Sequence, residues 1–155
     1  ILIEDIPLIM EKNNWKDCIC VSIPRAKSIH TYTDKQLYLI KAISEAASLI
    51  DGVSDGTNFV ERHTNTKTTH LPVTTGRVTA IGQVDTNDGP SPYPGITKET
   101  CYIDKDWLFG ENIILIDDIY TLGINIDEDC IQALYDAGAK NVVYYAVAYT
   151  KTRRN

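Results

Sequence analysis

One stretch in the last third of the chain, residues 112–126, constrains the fold more than any other. It reads Asn-Ile-Ile-Leu-Ile-Asp-Asp-Ile-Tyr-Thr-Leu-Gly-Ile-Asn-Ile. The apolar residues 113–116 follow one another without alternation, which predicts a strand that is buried on both faces, as in a parallel sheet. Two carboxylates, Asp117 and Asp118, come where that strand is expected to leave the sheet.

A helix is predicted directly after this stretch. Apolar residues recur at helical spacing from Ile126 onwards, and Gly138 provides a stop signal. The loop between the carboxylates and the helix contains Thr121 and Gly123. Its backbone N–H groups and the positive end of the helix dipole favour an anion such as phosphate. The carboxylates repel an anion, and they suit sugar hydroxyls or a metal ion that the substrate carries.

Three further segments complete a predicted α/β domain. An apolar run at 18–23 predicts a second strand, and a helix is predicted over 34–50, where Thr33 and Gln36 form a capping box. A third strand is predicted over 141–149. We therefore expect an open, mainly parallel twisted sheet with helices on both faces, and ligands at the carboxyl ends of the strands.

At the first stretch the chain resembles the type I phosphoribosyltransferases. Their signature is an apolar strand, two acids, an apolar residue, any residue, then Thr-Thr/Ser-Gly, with Thr or Ser two positions further on. The matching positions are Asp117, Asp118, Thr121 and Gly123. Leu122 stands where a second hydroxyl is usual, and Asn125 replaces the later Thr or Ser.

This resemblance implies that the chain binds phosphoribosyl pyrophosphate (PRPP) together with Mg²⁺. Asp117 and Asp118 would then bracket the ribose hydroxyls and act as the catalytic residues. Mg²⁺ would be held mainly through PRPP, with the two carboxylates contacting it only indirectly. The loop residues implied to bind the substrate are Thr121, Leu122, Gly123, Ile124 and Asn125, and of these Thr121, Gly123 and Asn125 would anchor the 5′-phosphate.

The segment after the first strand, Ser-Ile-Pro-Arg followed by Lys27, is similar to the Pro-Val-Pro stretch of the ComF-like branch of this family. In that branch the loop holds pyrophosphate, so the resemblance makes Arg25 and Lys27 candidate pyrophosphate ligands. A leaving group with several negative charges must be neutralised, and Arg offers a bidentate fork. The alternative is that both residues are simply exposed loop cations.

A second ComF-like pattern places an Arg, a Thr four residues later, then a Gln and an apolar residue. Arg62, Thr66 and Leu71 fit it, while Thr69 or His70 stands where Gln is usual. The resemblance makes Arg62 a candidate substrate ligand. A plain polar loop remains the alternative.

The segment 72–110 is rich in Gly, Pro, Thr and Asp and is predicted to be a flexible loop region. Within it, two strands are predicted between residues 73 and 84, with a turn at Thr75-Gly76 and Arg77 directed at the ligand. Such a segment covers the substrate in type I transferases and excludes water. Residues 1–15 are predicted to form an edge or hood segment.

Composition restricts the remaining possibilities. The chain has 155 residues, which predicts one domain, and a net charge of −6, which argues against nucleic-acid binding through a basic face. Its four Cys residues have no metal-binding spacing and predict buried free thiols in a reducing compartment. No apolar run reaches membrane-spanning length, and a cytoplasmic location is predicted. The start at Ile1 rather than Met is compatible with a piece of a longer protein.

The predicted function is transfer of a phosphoribosyl group from PRPP–Mg to a nitrogenous base, with release of pyrophosphate. Two alternatives stay open. The first is a non-catalytic regulatory domain that binds PRPP or a nucleotide, which Leu122 and the absent Gln favour. The second is a ComF-like interaction module of a larger protein. The expected partners are a small phosphoribosyl or nucleotide ligand and either a second copy or the rest of a larger chain.

Overall fold

The computed structural model describes residues 1–67, 74–78, 82, 84–86, 95–120 and 126–150, and it gives the backbone alone for 74–78 and 84–86. In chain order the elements are α1 (Leu2–Lys12), β1 (Cys18–Ser22), α2 (Tyr38–Leu49), β2 (Val53–Asp55), β3 (Val60–Arg62), β4 (Thr74–Val78), β5 (Val84–Thr86), β6 (Cys101–Ile103), α3 (Lys105–Leu108), β7 (Asn112–Tyr120), α4 (Ile126–Asp136) and β8 (Asn141–Tyr149). Two 3₁₀ turns lie between β1 and α2. Within the described ranges, no helix is long and apolar enough to cross a membrane.

The central sheet is parallel, with the strand order β2-β1-β7-β8. The chain runs from β1 to β2 on one side of the sheet and from β7 to β8 on the other side. The strand order therefore reverses between β1 and β7, which pair with each other from Ile19↔Ile113 to Ser22↔Ile116. Open α/β sheets bind ligands at such a switch point, outside the carboxyl ends of the strands.

Each face of the sheet packs against its own core. One face meets α1 and α2, and the buried residues there include Cys18, Cys20, Ile114, Ile116, Ile6, Met10 and Ile43. The other face meets α4, and the buried residues there include Ile19, Val21, Ile113, Leu115, Cys130 and Leu134. The prediction of a parallel sheet with helices on both faces is confirmed, because alternate side chains of β1 and β7 are buried on opposite sides.

Several predicted elements have the expected positions. The third strand is confirmed at both of its predicted bounds, and the predicted edge segment 1–15 contains α1. All four cysteines are buried free thiols. The predicted helix 34–50 is a 3₁₀ turn, Asp34–Leu37, followed by α2. The Gln36 side chain accepts the Thr33 N–H at 2.8 Å, so the predicted capping contact belongs to the 3₁₀ turn.

The twin carboxylates lie inside β7, not after it. The sequence predicted a strand over 113–117, but β7 continues through Asp118 to Tyr120. The prediction was wrong because β8 is equally long and pairs with β7 as far as Tyr120↔Tyr149. The last residues of these two strands therefore extend past the end of β1 as a two-stranded ribbon.

The predicted turn at Thr75-Gly76 is also wrong, since both residues lie within β4. β4 pairs with β5 in an antiparallel ribbon from Thr74↔Thr86 to Val78↔Val84, so the chain reverses between residues 78 and 84. Gly82 has a φ of +80° there, a left-handed conformation that glycine adopts without steric cost. Two strands are present as predicted, with different bounds.

The predicted loop 72–110 contains regular structure at its carboxyl-terminal end. β6 pairs with β3, and α3 buries Leu108 completely. Ile96 and Cys101 are also part of the core. The loop prediction was wrong here because β6 and α3 have only three and four residues, too few for an apolar periodicity to reveal them.

The turn before β2 depends on Gly52, and we expect Gly52→Ala to lower the free energy of unfolding by about 3 kcal/mol. Gly52 has a φ of +77°, and a Cβ there would lie 2.3 Å from the Lys16 carbonyl oxygen. The Gly52 carbonyl also accepts the Cys18 N–H at 2.9 Å, so the turn cannot move without loosening β1.

Gly110→Ala is the matched control, and urea unfolding measures both variants. Gly110 has a φ of +78° but no atom within 4 Å of the added Cβ. Gly110→Ala should lower the free energy of unfolding by only about 1–2 kcal/mol, which is the cost of a left-handed backbone conformation for a residue with a side chain. Equal losses in the two variants would contradict the predicted clash at Gly52.

Candidate functional site

The loop after β1, residues 23–28, leaves the sheet directly beside β7. We call it the cationic loop because it contains Arg25 and Lys27. The Ile23 N–H donates to the Ile116 carbonyl at 3.1 Å, so the loop begins one residue away from Asp117. The switch point thus has cationic and acidic segments on its two sides.

The cationic loop is held in place by the segment that begins with β3. Arg62 Nε donates to the Arg25 carbonyl at 2.6 Å. Thr66 is completely buried, and its N–H and Oγ1 both donate to the Ala26 carbonyl, at 2.7 and 3.0 Å. Arg62 and Thr66 were grouped by their sequence pattern alone, and in the structure they hold neighbouring carbonyls of one loop.

The two cations of this loop have different environments. Arg25 is exposed, and its guanidinium lies over the Tyr32 ring, 4.6 Å from the ring centroid, and donates to the Gln36 carbonyl at 2.7 Å. Lys27 is only 6% exposed, and its backbone N–H donates to the Tyr32 hydroxyl at 3.0 Å. The alternative of two exposed loop cations is therefore wrong for Lys27.

The guanidinium of Arg62 lies in the protein interior, with an exposed fraction of 2%. Besides Arg25 it contacts Gly95, whose carbonyl accepts from Nη1 at 2.9 Å. The Gly95 N–H in turn donates to Asp129 Oδ2 at 2.6 Å. Burial lowers the pKa of Arg62. These contacts connect the cationic loop to the first turn of α4, so Arg62 contacts protein carbonyls where the sequence predicted a substrate.

Asp117 is half-buried, and donors contact both of its carboxylate oxygens. The Asp118 N–H donates to Oδ1 at 2.8 Å, and the Tyr144 hydroxyl donates to Oδ2 at 3.3 Å. Burial raises the pKa of Asp117 to about 6, and the negative charge of Asp118 contributes to this rise. Asp118 itself is exposed. The pair thus combines an exposed carboxylate with one that protonates near pH 6.

The first turn of α4 contains three further acids, Asp127, Glu128 and Asp129. Asp127 is only 7% exposed, and burial, together with a side-chain contact to Glu128, raises its pKa to about 6. Acids at a helix N-terminus are stabilised by the helix dipole. Their negative charge opposes the binding of a phosphate at the same helix end.

Thr121, Leu122, Gly123, Ile124 and Asn125 lie outside the described residues, and so does the side chain of Arg77. The predicted residues that the structure describes, Arg25, Lys27, Arg62, Asp117 and Asp118, belong to the cationic loop, the end of β3 and the end of β7.

The sequence did not reveal that Tyr144 contacts Asp117, or that Gly95 contacts Arg62 and Asp129. Tyr144 stands in an apolar strand with several tyrosines, and only the register Leu115↔Tyr144 puts it on the same side of the sheet as Asp117. Gly95 contacts Arg62 and Asp129 through its backbone atoms only, so these contacts could not be predicted from its residue type.

Mg²⁺ prefers oxygen ligands, which the neighbouring carboxylates of Asp117 and Asp118 provide. In the part of the chain that the structure describes, no group of three or more His, Cys, Asp or Glu side chains is arranged to hold a metal ion. Two carboxylates can supply only part of the six-oxygen coordination that Mg²⁺ prefers, so the other ligands would have to come from water or a bound molecule.

We expect Tyr144→Phe to raise the pKa of Asp117 further, because the tyrosine hydroxyl stabilises the ionised carboxylate. An NMR titration of the Asp117 carboxyl carbon measures this directly. Tyr120→Phe is the matched control, since the Tyr120 ring packs edge-on against Tyr144, with centroids 6.2 Å apart, and the described contacts of Asp117 do not include it. A Tyr144→Phe variant with an unchanged Asp117 pKa would contradict the assigned contact.

No family model matches the chain, and no curated protein matches it. The functional assignment therefore depends on the residues and the geometry described above.

Proposed function

We propose that the chain is a type I phosphoribosyltransferase-like domain that binds PRPP–Mg at the switch point between β1 and β7 and transfers the phosphoribosyl group to a nitrogenous base. One observation carries this proposal. The hydrogen bond from Ile23 to Ile116 brings the cationic loop next to Asp117 and Asp118. Adjacent cations and carboxylates suit a ligand that has both phosphates and sugar hydroxyls.

In the proposed complex, Asp117 and Asp118 accept hydrogen bonds from the ribose hydroxyls, while Arg25 and Lys27 neutralise the pyrophosphate. The lone pair of a ring nitrogen forms a bond to C1 as the bond from C1 to the pyrophosphate oxygen breaks. The electron pair leaves with pyrophosphate, and the proton of the ring nitrogen passes to water. The carboxylates oppose the positive charge that develops on the ribose.

The remaining residues have supporting parts in this proposal. Thr121, Gly123 and Asn125 provide donors for the 5′-phosphate, and Leu122 provides none. Arg77 belongs to the segment proposed to cover the ligand. Arg62 donates to the Arg25 carbonyl and so holds the loop that is proposed to bind pyrophosphate. Its effect on the substrate is therefore indirect.

A ligand panel tests the proposal. Thermal unfolding is measured with PRPP–Mg, ribose 5-phosphate, pyrophosphate, nucleoside monophosphates and Mg²⁺ alone, because a ligand of the native state raises the midpoint. Release of pyrophosphate is then measured with a set of nitrogenous bases. We expect PRPP–Mg to stabilise most and one base to support turnover. A chain that no phosphoribosyl ligand stabilises would overturn the proposal.

Arg25→Gln should weaken PRPP–Mg binding by about 10-fold to 100-fold, since a hydrogen bond to a charged group contributes about 1.5–3 kcal/mol. Lys35→Gln is the matched control, because Lys35 is an exposed cation of the nearby 3₁₀ turn. Calorimetric titration measures both affinities. An equal loss in the two variants would indicate a general charge effect and would contradict a specific role of Arg25.

The acids in the first turn of α4 favour a second candidate, a non-catalytic domain that binds PRPP or a nucleotide. Their charge opposes a tightly held 5′-phosphate, and Leu122 removes one possible donor from the adjoining loop. Stabilisation by PRPP–Mg without turnover of any base would select this candidate over the enzyme. If no phosphate-containing ligand binds, the remaining candidate is the ComF-like interaction module of a larger protein.

A further inference from the structure

Of the two edge strands of the central sheet, β8 is much the longer. It has nine residues, whereas β2 at the opposite edge has three. β8 pairs with β7 on one side, and no other described strand pairs with its second side. Along such an edge, a row of N–H and C=O groups points away from the sheet and can pair with a strand of another chain.

β8 also lacks the residues that normally protect an edge strand. Charged side chains, especially Lys, and Pro commonly have this role. β8 reads Asn-Val-Val-Tyr-Tyr-Ala-Val-Ala-Tyr, which includes neither a charged residue nor a proline. The short strand β2, by contrast, ends in Asp55. Val147 and Tyr149 are 40% and 67% exposed, so the second half of β8 is accessible.

Helix α1 adds apolar surface next to this edge. The Tyr145 hydroxyl of β8 donates to Asp5 Oδ2, so the Asp5 side of α1 faces β8. Ile1 and Leu8 are spaced from Asp5 by about one and two helical turns, which places them near the same side of the helix. Both side chains are exposed. Exposed apolar groups beside an unpaired strand edge indicate an association surface.

A second copy of the chain is the partner that this edge fits best. The chain has a net charge of −6, so two copies repel each other over most of their surface, but β8 contributes no charge to a contact. The second copy also supplies a strand of the same length. The Tyr135 hydroxyl already accepts the Val142 N–H at 3.2 Å, so residues 143–149 remain for pairing.

We propose that two copies associate through β8 and continue the central sheet as an antiparallel pair centred on Ala146. Tyr145 then stands opposite the partner's Val147, and pairs of an aromatic and a β-branched residue stabilise antiparallel strands. The two-fold axis uses the same edge of both copies, so the assembly closes at two. This association does not depend on the proposed transfer reaction.

Sedimentation equilibrium of the full chain over a wide range of concentrations tests the proposal. We expect a reversible equilibrium between one and two copies. A single copy at every concentration would overturn the proposal, and a series of species larger than two would overturn it as well.

Val147→Lys and Leu49→Lys are the matched variants, since both place a lysine at an exposed apolar position. Leu49 ends α2, which packs against β1 and β2 and not against the edge at β8. Val147→Lys should weaken the association by about tenfold or more, because pairing would bring an unpaired charge into the contact. Leu49→Lys should leave the association unchanged. Equal effects of the two variants would overturn the assignment to β8.

Hydrogen exchange of the wild type is an independent test that requires no variant. The protection of the β8 amides should rise with protein concentration, because pairing occupies N–H groups that otherwise face solvent. The amides of β2, the other edge strand, should exchange at the same rate at every concentration. Association without added protection in β8 would overturn the proposal.

Discussion

Replacing Asp117 with Asn should make the ligand-free protein more stable at pH 7. The folded protein holds a proton on Asp117 up to a pKa of about 6, well above the ordinary value of 3.8. This group therefore stabilises the fold fully below about pH 4, and that contribution is lost as the pH rises through 6. Asparagine avoids the cost of a half-buried charge. A shift of this size corresponds to about 3 kcal/mol, which partial exposure reduces to about 1–2 kcal/mol.

Urea unfolding of the wild type and of Asp117→Asn at pH 4 and pH 7 measures this effect. The gain should be present at pH 7 and should largely disappear at pH 4, where the aspartate is protonated in the folded protein. Asp51→Asn is the matched control, because Asp51 is exposed in the turn before β2. A loss of stability at pH 7 in the Asp117 variant would contradict the prediction.

The same variant separates stability from function. If Asp117 binds the ribose hydroxyls as proposed, Asp117→Asn should weaken PRPP–Mg binding by about 10-fold to 100-fold, which is the effect of about 1.5–3 kcal/mol. Wild-type affinity should also fall as the pH drops through about 6, because the protonated carboxyl accepts fewer hydrogen bonds. A more stable protein that binds less ligand is typical of a residue kept for function. An unchanged PRPP–Mg affinity in Asp117→Asn would contradict the proposed role of Asp117 in binding the ribose.

Arg62→Met should lower the free energy of unfolding by about 3 kcal/mol. The substitution leaves the Arg25 carbonyl without the Arg62 donor, while the Gly95 carbonyl keeps its hydrogen bond from Thr100 Oγ1 at 2.6 Å. Each unsatisfied buried polar group costs about 1–3 kcal/mol, and the contact between the cationic loop and the first turn of α4 is lost as well. Urea unfolding measures the loss.

Arg25→Met is the matched control for this change. It removes the same side-chain type from an exposed position and should cost less than about 1 kcal/mol. Hydrogen exchange of the Thr66 N–H gives a local readout, because that group donates to the Ala26 carbonyl of the cationic loop. We expect faster exchange in Arg62→Met than in Arg25→Met. Similar exchange rates in the two variants would mean that Arg62 does not hold the loop.

The sequence was most informative where burial is continuous. The runs that became β1 and β7 have uninterrupted buried apolar residues, as a strand covered on both faces requires. β8 has a similar run, but it is an edge strand of the sheet and none of its residues is fully buried. Parallel pairing and helices on both faces follow from that requirement. β2, β6 and α3 were missed because each has only three or four residues, too few to show a period.

At the candidate site, the sequence identified residues but not all of their contacts. Arg62 and Arg25 are 37 positions apart, and no local pattern states that one donates to the carbonyl of the other. The burial of Lys27 and the length of β7 depend in the same way on partners from distant parts of the chain.

The sequence by itself determined which segments are buried between two layers, because apolar spacing records the local demand for burial. It also determined that two carboxylates follow the central apolar run. Only the tertiary structure decided that Asp117 meets Tyr144 and that Arg62 lies beneath the cationic loop. Such contacts arise when strands pair in a particular register, and that register is a property of the whole packed chain.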